Sequence, residues 1–149
     1  MVKDIPLSEI TLRKYEKPYD APKREIFRKV CLSLGLLQPG DSRDIIVDIL
    51  LVLEEARKQK SMLTSFEIKD RVELLRKQNS LEIKGLAESN IRRQLKRLRD
   101  ALIIDKTENK YRFAEFLPLS EIFNTKIEKF LIPQIIERIK EYLAKLDSM

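Results

Sequence analysis

The chain has 149 residues and carries 30 basic and 24 acidic side chains, so its formal net charge is +6. A basic protein favours acidic partners, either nucleic acid or an anionic membrane surface. The sequence has no run of about 18 apolar residues that could span a bilayer, and it contains no histidine, one cysteine and three glycines. These counts exclude an internal disulfide, histidine-based catalytic triads and the usual zinc sites within one chain.

We therefore expect a cytoplasmic protein that is not an enzyme, holds no metal and needs no cofactor; the glycines form no phosphate-binding loop. The length suits one domain, or one domain with helical extensions, and 43% hydrophobic content is enough for a sizeable core. Lysine and glutamate are abundant, a balance often met in heat-adapted proteins. We expect the single cysteine, Cys31, to be buried as a small hydrophobic residue rather than to act as a redox-sensing thiol.

Residues 1–40 are interpreted as an N-terminal helical arm. Residues 6–13 are compatible with one or two helical turns that end before Pro18. Apolar residues recur at helical spacing over residues 23–34, which predicts an amphipathic helix with Gly35 near its end. The arm has 8 basic and 5 acidic residues. Contact with a phosphate backbone is therefore one possibility, but packing on the following domain or on a partner subunit is the favoured interpretation.

Two further amphipathic helices are predicted before residue 80. Asp41 and Asp44 place acids at the positive end of the first, whose broad apolar face continues to a cationic end at Lys58. Thr64 and Glu67 have the spacing of a capping box and open the second helix, which extends to about residue 77. The connection that follows is longer than a tight turn, and we expect its apolar side chains to enter the core: Leu81, Ile83 and Leu86.

The most informative stretch is the basic helix that begins near residue 89. Ile91, Leu95 and Leu98 recur along one face, and five bases with no acid lie between residues 91 and 99. Either Ser89 or Asn90 is expected to cap its first turn. A helix that is anchored on one edge and holds cations outward suits a nucleic-acid groove. Most basic helix faces are only solvated surface, however, so the surrounding elements decide the interpretation.

Two short β-prone runs follow the basic helix, at residues 102–106 and 110–113. Between them, Asn109 is suited to a left-handed turn position, which predicts a hairpin. Tyr111 and Phe113 alternate with basic residues, and we expect these aromatic side chains to seal the core rather than to stack on bases.

The order helix, helix, basic helix, hairpin resembles a winged helix-turn-helix domain over residues 41–116. Residues 96–106, which read KRLRDALIIDK, resemble the sequence with which winged-helix transcriptional regulators of archaea and bacteria often end their recognition helix. Those proteins usually have glycine where Leu102 stands here, so a different exit turn is expected. The resemblance implies a mainly α fold with a small β-hairpin wing.

The resemblance also implies which residues contact DNA. The first turns of the helix would carry the base-reading side chains: Ser89, Asn90, Arg92, Arg93, Lys96 and Arg97. The wing would place three further bases near phosphates or the neighbouring minor groove: Lys106, Lys110 and Arg112. Charged residues on an exposed hairpin also serve to block edge pairing, and this alternative has equal weight.

Residues 117–149 are interpreted as a C-terminal helical segment for dimerisation. Pro133 is expected to kink or restart the helix, since it has no N–H to donate and fits a first turn. Apolar residues around and after it follow a 3-4-3-4 spacing typical of a helix seam, at Ile132, Ile135, Ile139, Tyr142 and Leu146, with Ile136 and Leu143 beside them. The tail can also fold back on its own domain, but self-association is the favoured interpretation.

The leading hypothesis is a homodimeric winged-helix transcriptional regulator that binds double-stranded DNA sequence-specifically. The alternatives are a winged-helix protein–protein adaptor in a larger assembly, or a non-specific architectural nucleic-acid binder. Binding to structured RNA ranks lower, because no platform of exposed aromatic residues is visible. A small-molecule effector is left open.

Overall fold

The computed structural model describes residues 4–149, which form a mainly helical protein with a small three-stranded antiparallel sheet. The helices are α1 (Lys23–Ser33), α2 (Ile45–Lys58), α3 (Ser65–Gln78), α4 (Glu88–Asp100), α5 (Leu119–Ile122) and α6 (Ile132–Asp147). The strands are β1 (Leu63–Thr64), β2 (Ile104–Thr107) and β3 (Lys110–Phe113). A 3₁₀ turn (Ala114–Phe116) follows β3, and a π-helical segment (Phe123–Leu131) joins α5 to α6. Within residues 4–149, no helix is both long enough and apolar enough to cross a membrane.

The sheet has the strand order β1-β3-β2, so the last strand of the chain lies in the middle. Leu63 of β1 pairs with Tyr111, and Ile104 of β2 pairs with Phe113. The β2–β3 hairpin turns at Glu108 and Asn109, both with positive φ, the backbone conformation whose twist matches two antiparallel strands. The predicted hairpin and the left-handed Asn109 are confirmed.

Helix α2 forms the centre of the core. Ile49, Leu50 and Leu53 are fully buried, because the helix is covered by α1, α3 and β3. The same core takes Phe27 from α1 and Ile122 from α5. Domain boundaries at residues 40 and 116 stay predictions, but the core crosses both.

The arm packs on the rest of the chain, as the favoured interpretation expected, but the helical turns predicted at residues 6–13 are absent. The chain has no regular structure there, and Arg13 bonds to the end of α1 instead. The Arg13 N–H donates to the carbonyl of Ser33 at 2.9 Å, and its guanidinium donates to the carbonyl of Leu32 at 2.9 Å. Thr11 lies so close to Gly35, which has a positive φ, that a Cβ on Gly35 would be 2.6 Å from the Thr11 Cβ. Only glycine fits this contact.

A buried ion network fastens α1 and α3 to the start of α2. The Asp48 carboxylate is fully buried and accepts hydrogen bonds from Arg24 of α1 and Arg76 of α3. Asp44 accepts from the same two arginines. Burial raises the pKa of Asp48, although both guanidiniums act against that shift. Asp44 precedes α2 as predicted, but its side chain does not cap the helix because it is committed to these arginines.

The C-terminal helical segment runs without a break from α5 through the π-helical segment to α6. Pro133 lies where the winding changes from π-helical to α-helical, but Leu131 and Ile132 keep helical φ and ψ, so the predicted restart at Pro133 is wrong. No residue of α6 is buried. The π-helical segment was not predicted. Its i→i+5 bonding turns each residue by less than the ~100° of an α-helix.

Candidate nucleic-acid interface

Helix α4 is anchored as its periodicity predicted. Ile91, Leu95 and Leu98 are fully buried against α3 and β2. The five bases of the helix are all exposed: Arg92, Arg93, Lys96, Arg97 and Arg99. The side chains of this helix therefore separate into a buried apolar edge and an outward cationic face.

The predicted cap of α4 is wrong. The helix begins at Glu88 with Ala87 as its N-cap, and no side chain caps it. It begins early because the Ser65 hydroxyl donates to the Glu88 carboxylate at 2.6 Å, which fixes the first turn against α3. Asn90 has another role: its amide donates to the carbonyl of Gly85 at 2.8 Å and accepts from Arg93.

The connection before α4 was also only partly predicted. Leu86 packs against the core, but Leu81 is only half-buried without joining it and Ile83 is exposed, so the expectation that all three enter the core is met by Leu86 alone. The connection turns at Gly85, whose φ is +77°, and this turn lies beside the Asn90 amide.

The exit of α4 uses Leu102 itself in the left-handed conformation, with φ of +64°, so the expectation of a different exit turn is wrong. The N–H of Ile103 donates to the carbonyl of Leu98, and the N–H of Leu102 donates to the carbonyl of Arg99. These two bonds form a Schellman motif. The buried side chains of Ile103 and Leu98 supply its usual apolar contact, which stabilises a left-handed residue that is not glycine.

Two of the five bases of α4 meet acids that lie just outside the acid-free stretch. Arg92 lies 3.2 Å from Glu88, and Lys96 lies 3.0 Å from Asp100. The side chains of Arg92 and Lys96 are 59% and 73% exposed, so each pair is worth at most about 1 kcal/mol. A polyanion can therefore displace the acid in either pair at small cost.

Among residues 4–149, no carboxylate lies within 4.0 Å of Arg93, Arg97 or Arg99. The Arg93 guanidinium donates to the Asn90 side-chain oxygen at 2.6 Å. Arg97 donates to Gln94 at 2.8 Å and to the carbonyl of Leu36 at 2.9 Å, so the arm helps to orient it. These guanidiniums keep their positive charge available to a ligand.

A polar cleft of about 700 Å³ lies beside α4, between the chain that leads into α2 and the connection before α4. Arg93 and Arg97 line it, together with three bases that have acids nearby: Arg43 lies 3.7 Å from Asp41, Lys84 lies 2.9 Å from Glu82, and Arg76 lies 3.2 Å from Asp44. Sequence reasoning missed this cleft because the loops that close it against the helices carry no periodic signal.

The hairpin presents its three predicted bases unequally. Lys106 and Lys110 are exposed, and the Lys106 ammonium lies 5.5 Å from the centre of the Tyr111 ring. Arg112 is half-buried: it pairs with Asp105 at 2.7 Å and stacks on the Phe116 ring at 4.8 Å. Arg112 is therefore oriented towards its own chain rather than outward.

The predicted placement of the aromatic residues of the hairpin is confirmed, since Tyr111 and Phe113 are buried. One aromatic residue of this surface was not predicted. Phe66, in the first turn of α3, is 60% exposed, and the Arg92 guanidinium lies 5.8 Å from its ring centre. The capping box at Thr64, which the structure contains in full, is the sequence signal that marks this turn.

The six residues predicted for dimerisation lie on α6, where exposure rises along the helix. Ile132 and Ile135 are half-buried, whereas Ile139 and Leu146 are 53% and 64% exposed. Tyr142 and Leu143 are also exposed. The first half of the C-terminal segment folds back on the core through Ile122 and Ile127, whereas the described residues leave the outer part of the α6 stripe uncovered.

No protein-family model matches this sequence, and comparison with curated proteins and with solved structures finds no significant similarity. The functional assignment therefore depends on the geometry of α4, the hairpin and α6.

Proposed function

We propose that this protein is a dimeric winged-helix transcriptional regulator that binds double-stranded DNA sequence-specifically. The order α2-β1-α3-α4-β2-β3, with β3 in the middle of the sheet, supports the winged-helix assignment. In this assignment α2 is the scaffold, α3 and α4 are the helix pair, and the β2–β3 hairpin is the wing.

The single observation that carries the proposal is the outward face of α4. Three fully buried aliphatic residues fix the helix, while three arginines on its surface have no carboxylate partner among the described residues. An α-helix fits the major groove of B-DNA, and arginine can donate two hydrogen bonds to a guanine edge. In our proposal Arg93 reads bases, and Asn90 exchanges its bond with Arg93 for an adenine edge.

The remaining bases are assigned to affinity rather than to specificity. Lys106 and Lys110 on the hairpin contact phosphates, which positions the duplex without reading it. Arg92 and Lys96 release Glu88 and Asp100 when DNA binds. Arg97 contacts the phosphate backbone of the DNA, since its bond to the Leu36 carbonyl draws it to one flank of α4.

The test is enrichment of random duplex DNA on the purified protein at several salt concentrations. We expect enrichment of a defined sequence together with a steep fall of affinity as salt rises, because each phosphate contact releases counterions. A steep salt dependence without sequence enrichment would support an architectural binder instead. Binding that does not depend on salt would contradict both forms of the proposal.

Two observations favour a second function, that of a protein–protein adaptor. Two of the five bases on α4 already have acidic neighbours, and α6 presents an apolar stripe that a different protein could cover. The distinguishing result is isolation of the protein from its source in a stoichiometric complex with another protein, free of nucleic acid.

A further inference from the structure

The C-terminal helical segment carries two apolar features, an exposed stripe on α6 and a groove near the start of the segment. On α6, Ile136, Ile139, Leu143 and Leu146 are each at least 46% exposed. Large contiguous apolar patches are uncommon on monomeric proteins and often mark interaction sites. The stripe continues from Leu131, which is buried in the core of its own chain.

The groove has a volume of about 570 Å³ and lies between the arm, α1 and α5. Its apolar walls include Tyr15 and Tyr19 of the arm, Ile26 of α1, and Leu119 and Phe123 of the C-terminal segment. Ile26 and Tyr19 are 38% and 53% exposed. The α6 helix of its own chain cannot enter this groove, because it extends away from it along the same axis.

We propose that α6 of a second copy occupies this groove, in an antiparallel dimer whose twofold axis passes near Pro133. This inference rests on the homodimer in the proposed function and specifies how it is built. A twofold interface pairs the same surface of both copies, so each chain supplies one helix and one groove. Both grooves of the dimer are then occupied, each by α6 of the other copy.

The apolar levels of the helical segment match in this arrangement. With the axis at Pro133, Phe130 lies level with Ile136 of the second copy, and Phe123 lies within one helical turn of Leu143, because the π-helical segment rises less per residue than α6. Leu146 then lies level with Ser120, which lines the groove. Each pair brings an apolar residue of α6 to the groove or to the π-helical segment that continues it.

The charges of the segment match as well. Glu121 lies level with Lys145 of the second copy, and Glu128 lies level with Arg138. Lys129 likewise faces Glu137. The exception is Lys126 opposite Lys140, and Lys126 already lies 3.6 Å from Glu115 of its own chain.

A parallel in-register pair of α6 helices would place each charged residue level with the same residue of the second copy. Like charges at the same level of two packed helices repel. The antiparallel arrangement also sets the negative end of each α6 beside the positive end of the other copy's α5, which is favourable. Charge therefore favours the antiparallel orientation.

The orientation is tested by cysteine cross-linking. Lys145→Cys alone and Glu121→Cys with Lys145→Cys are treated with a short bismaleimide, and the products are separated by mass. The native Cys31 is buried and does not compete. Residues 121 and 145 of one chain are about 36 Å apart along a helix, too far for a short reagent to join them within the chain.

We expect the double variant to form covalent dimers and the Lys145→Cys variant to form none. Efficient cross-linking of Lys145→Cys alone would mean that the C-terminal ends lie together, and it would overturn the antiparallel arrangement. If the wild-type protein is monomeric by light scattering at all concentrations, the dimer in the proposed function fails as well.

The groove is tested separately with Ile26→Glu, which adds a charge to the groove wall without changing α6. We expect the dimer dissociation constant to rise by about tenfold or more, because the charge would be desolvated by the second copy. The matched control is Leu74→Glu on α3, since Leu74 is 57% exposed and does not line the groove. Circular dichroism verifies that both variants fold. An unchanged dissociation constant for a folded Ile26→Glu would overturn the occupation of the groove.

Discussion

Helices α4 and α6 have the same kind of sequence and different surroundings. Each has apolar residues at 3-4 spacing on one side and charges on the other. Leu95 of α4 is fully buried in its own chain, whereas Ile139 of α6 is 53% exposed. The chain returns after α4 through the left-handed turn at Leu102, and β2 then packs against the helix, whereas no described element packs over the outer part of α6. Periodicity therefore predicts which side of a helix is apolar, but not what covers it.

The largest expected effect comes from truncating the same kind of side chain on the two helices. Leu95→Ala should lower the free energy of unfolding by about 2–5 kcal/mol, because it removes buried methyl groups and leaves a cavity. Ile139→Ala should change the unfolding of the monomer by less than about 0.5 kcal/mol, since an exposed side chain loses little burial.

Urea unfolding at a protein concentration below the dimer dissociation constant measures the free energy of unfolding of both variants. Dimer dissociation should respond in the opposite order, with Ile139→Ala weakening self-association and Leu95→Ala affecting it only through folding. Equal losses of monomer stability would mean that α6 is packed on its own chain in solution.

The second comparison is between two exposed bases. Arg93→Ala should weaken binding to the enriched DNA sequence by about 1–3 kcal/mol and relax specificity at one position, as expected for a base-reading arginine. Lys77→Ala removes the same charge from the far end of α3, where the side chain is 63% exposed and lies 3.7 Å from Glu73. Fluorescence anisotropy with specific and scrambled duplexes measures both variants. If the two lose affinity equally on both duplexes, the assignment of Arg93 to base reading is wrong.

These contrasts show what the residues alone could predict. The helices, the capping box at Thr64 and the hairpin at Asn109 follow from local rules, because each depends on neighbours within a few residues. The extended arm depends on a contact between Thr11 and Gly35, residues 24 positions apart in the sequence. No periodic pattern carries information of that kind.

The site was predictable to a similar degree. The buried edge of α4 follows from spacing, so its exposed bases follow too. The contacts of the individual bases were not predictable, because they depend on residues distant in the sequence or beyond the hairpin. Arg97 of α4 donates to the carbonyl of Leu36 in the arm, and Arg112 of β3 stacks on Phe116. The π-helical segment likewise had no signal, since Pro133 predicts a helix start but not the winding before it.

A smaller effect concerns Cys31, on the buried face of α1. Burial raises the pKa of its thiol to about 12. The thiolate is therefore disfavoured in the folded protein, whereas the thiol of the unfolded chain ionises at its ordinary pKa. The folded state therefore gains stability from this group below about pH 9, and that contribution is lost as the pH rises from about 9 towards 12.

Relative to Cys31→Ala, the wild-type protein should lose about 1.4 kcal/mol of unfolding free energy for each pH unit above 9. Urea midpoints of the two proteins at pH 8 and pH 10 measure this difference. The comparison with the alanine variant cancels the titration of lysine and tyrosine elsewhere. A constant difference across this range would mean that the thiol is accessible to water.

The smallest expected effect on stability, and the sharpest distinction between the two proposed functions, comes from Asp100. It lies on the outward side of α4, paired with Lys96 and 66% exposed. Asp100→Asn should change the free energy of unfolding by less than about 0.5 kcal/mol, because an exposed pair of this kind contributes little. It should nevertheless raise DNA affinity several-fold and steepen the salt dependence, because the substitution removes a negative charge that repels phosphates and frees Lys96 to contact them. In an adaptor whose α4 only meets solvent, the same substitution has no effect on duplex binding. Salt-dependent anisotropy of Asp100→Asn beside the wild-type protein therefore separates a cationic face that binds DNA from one that is only solvated.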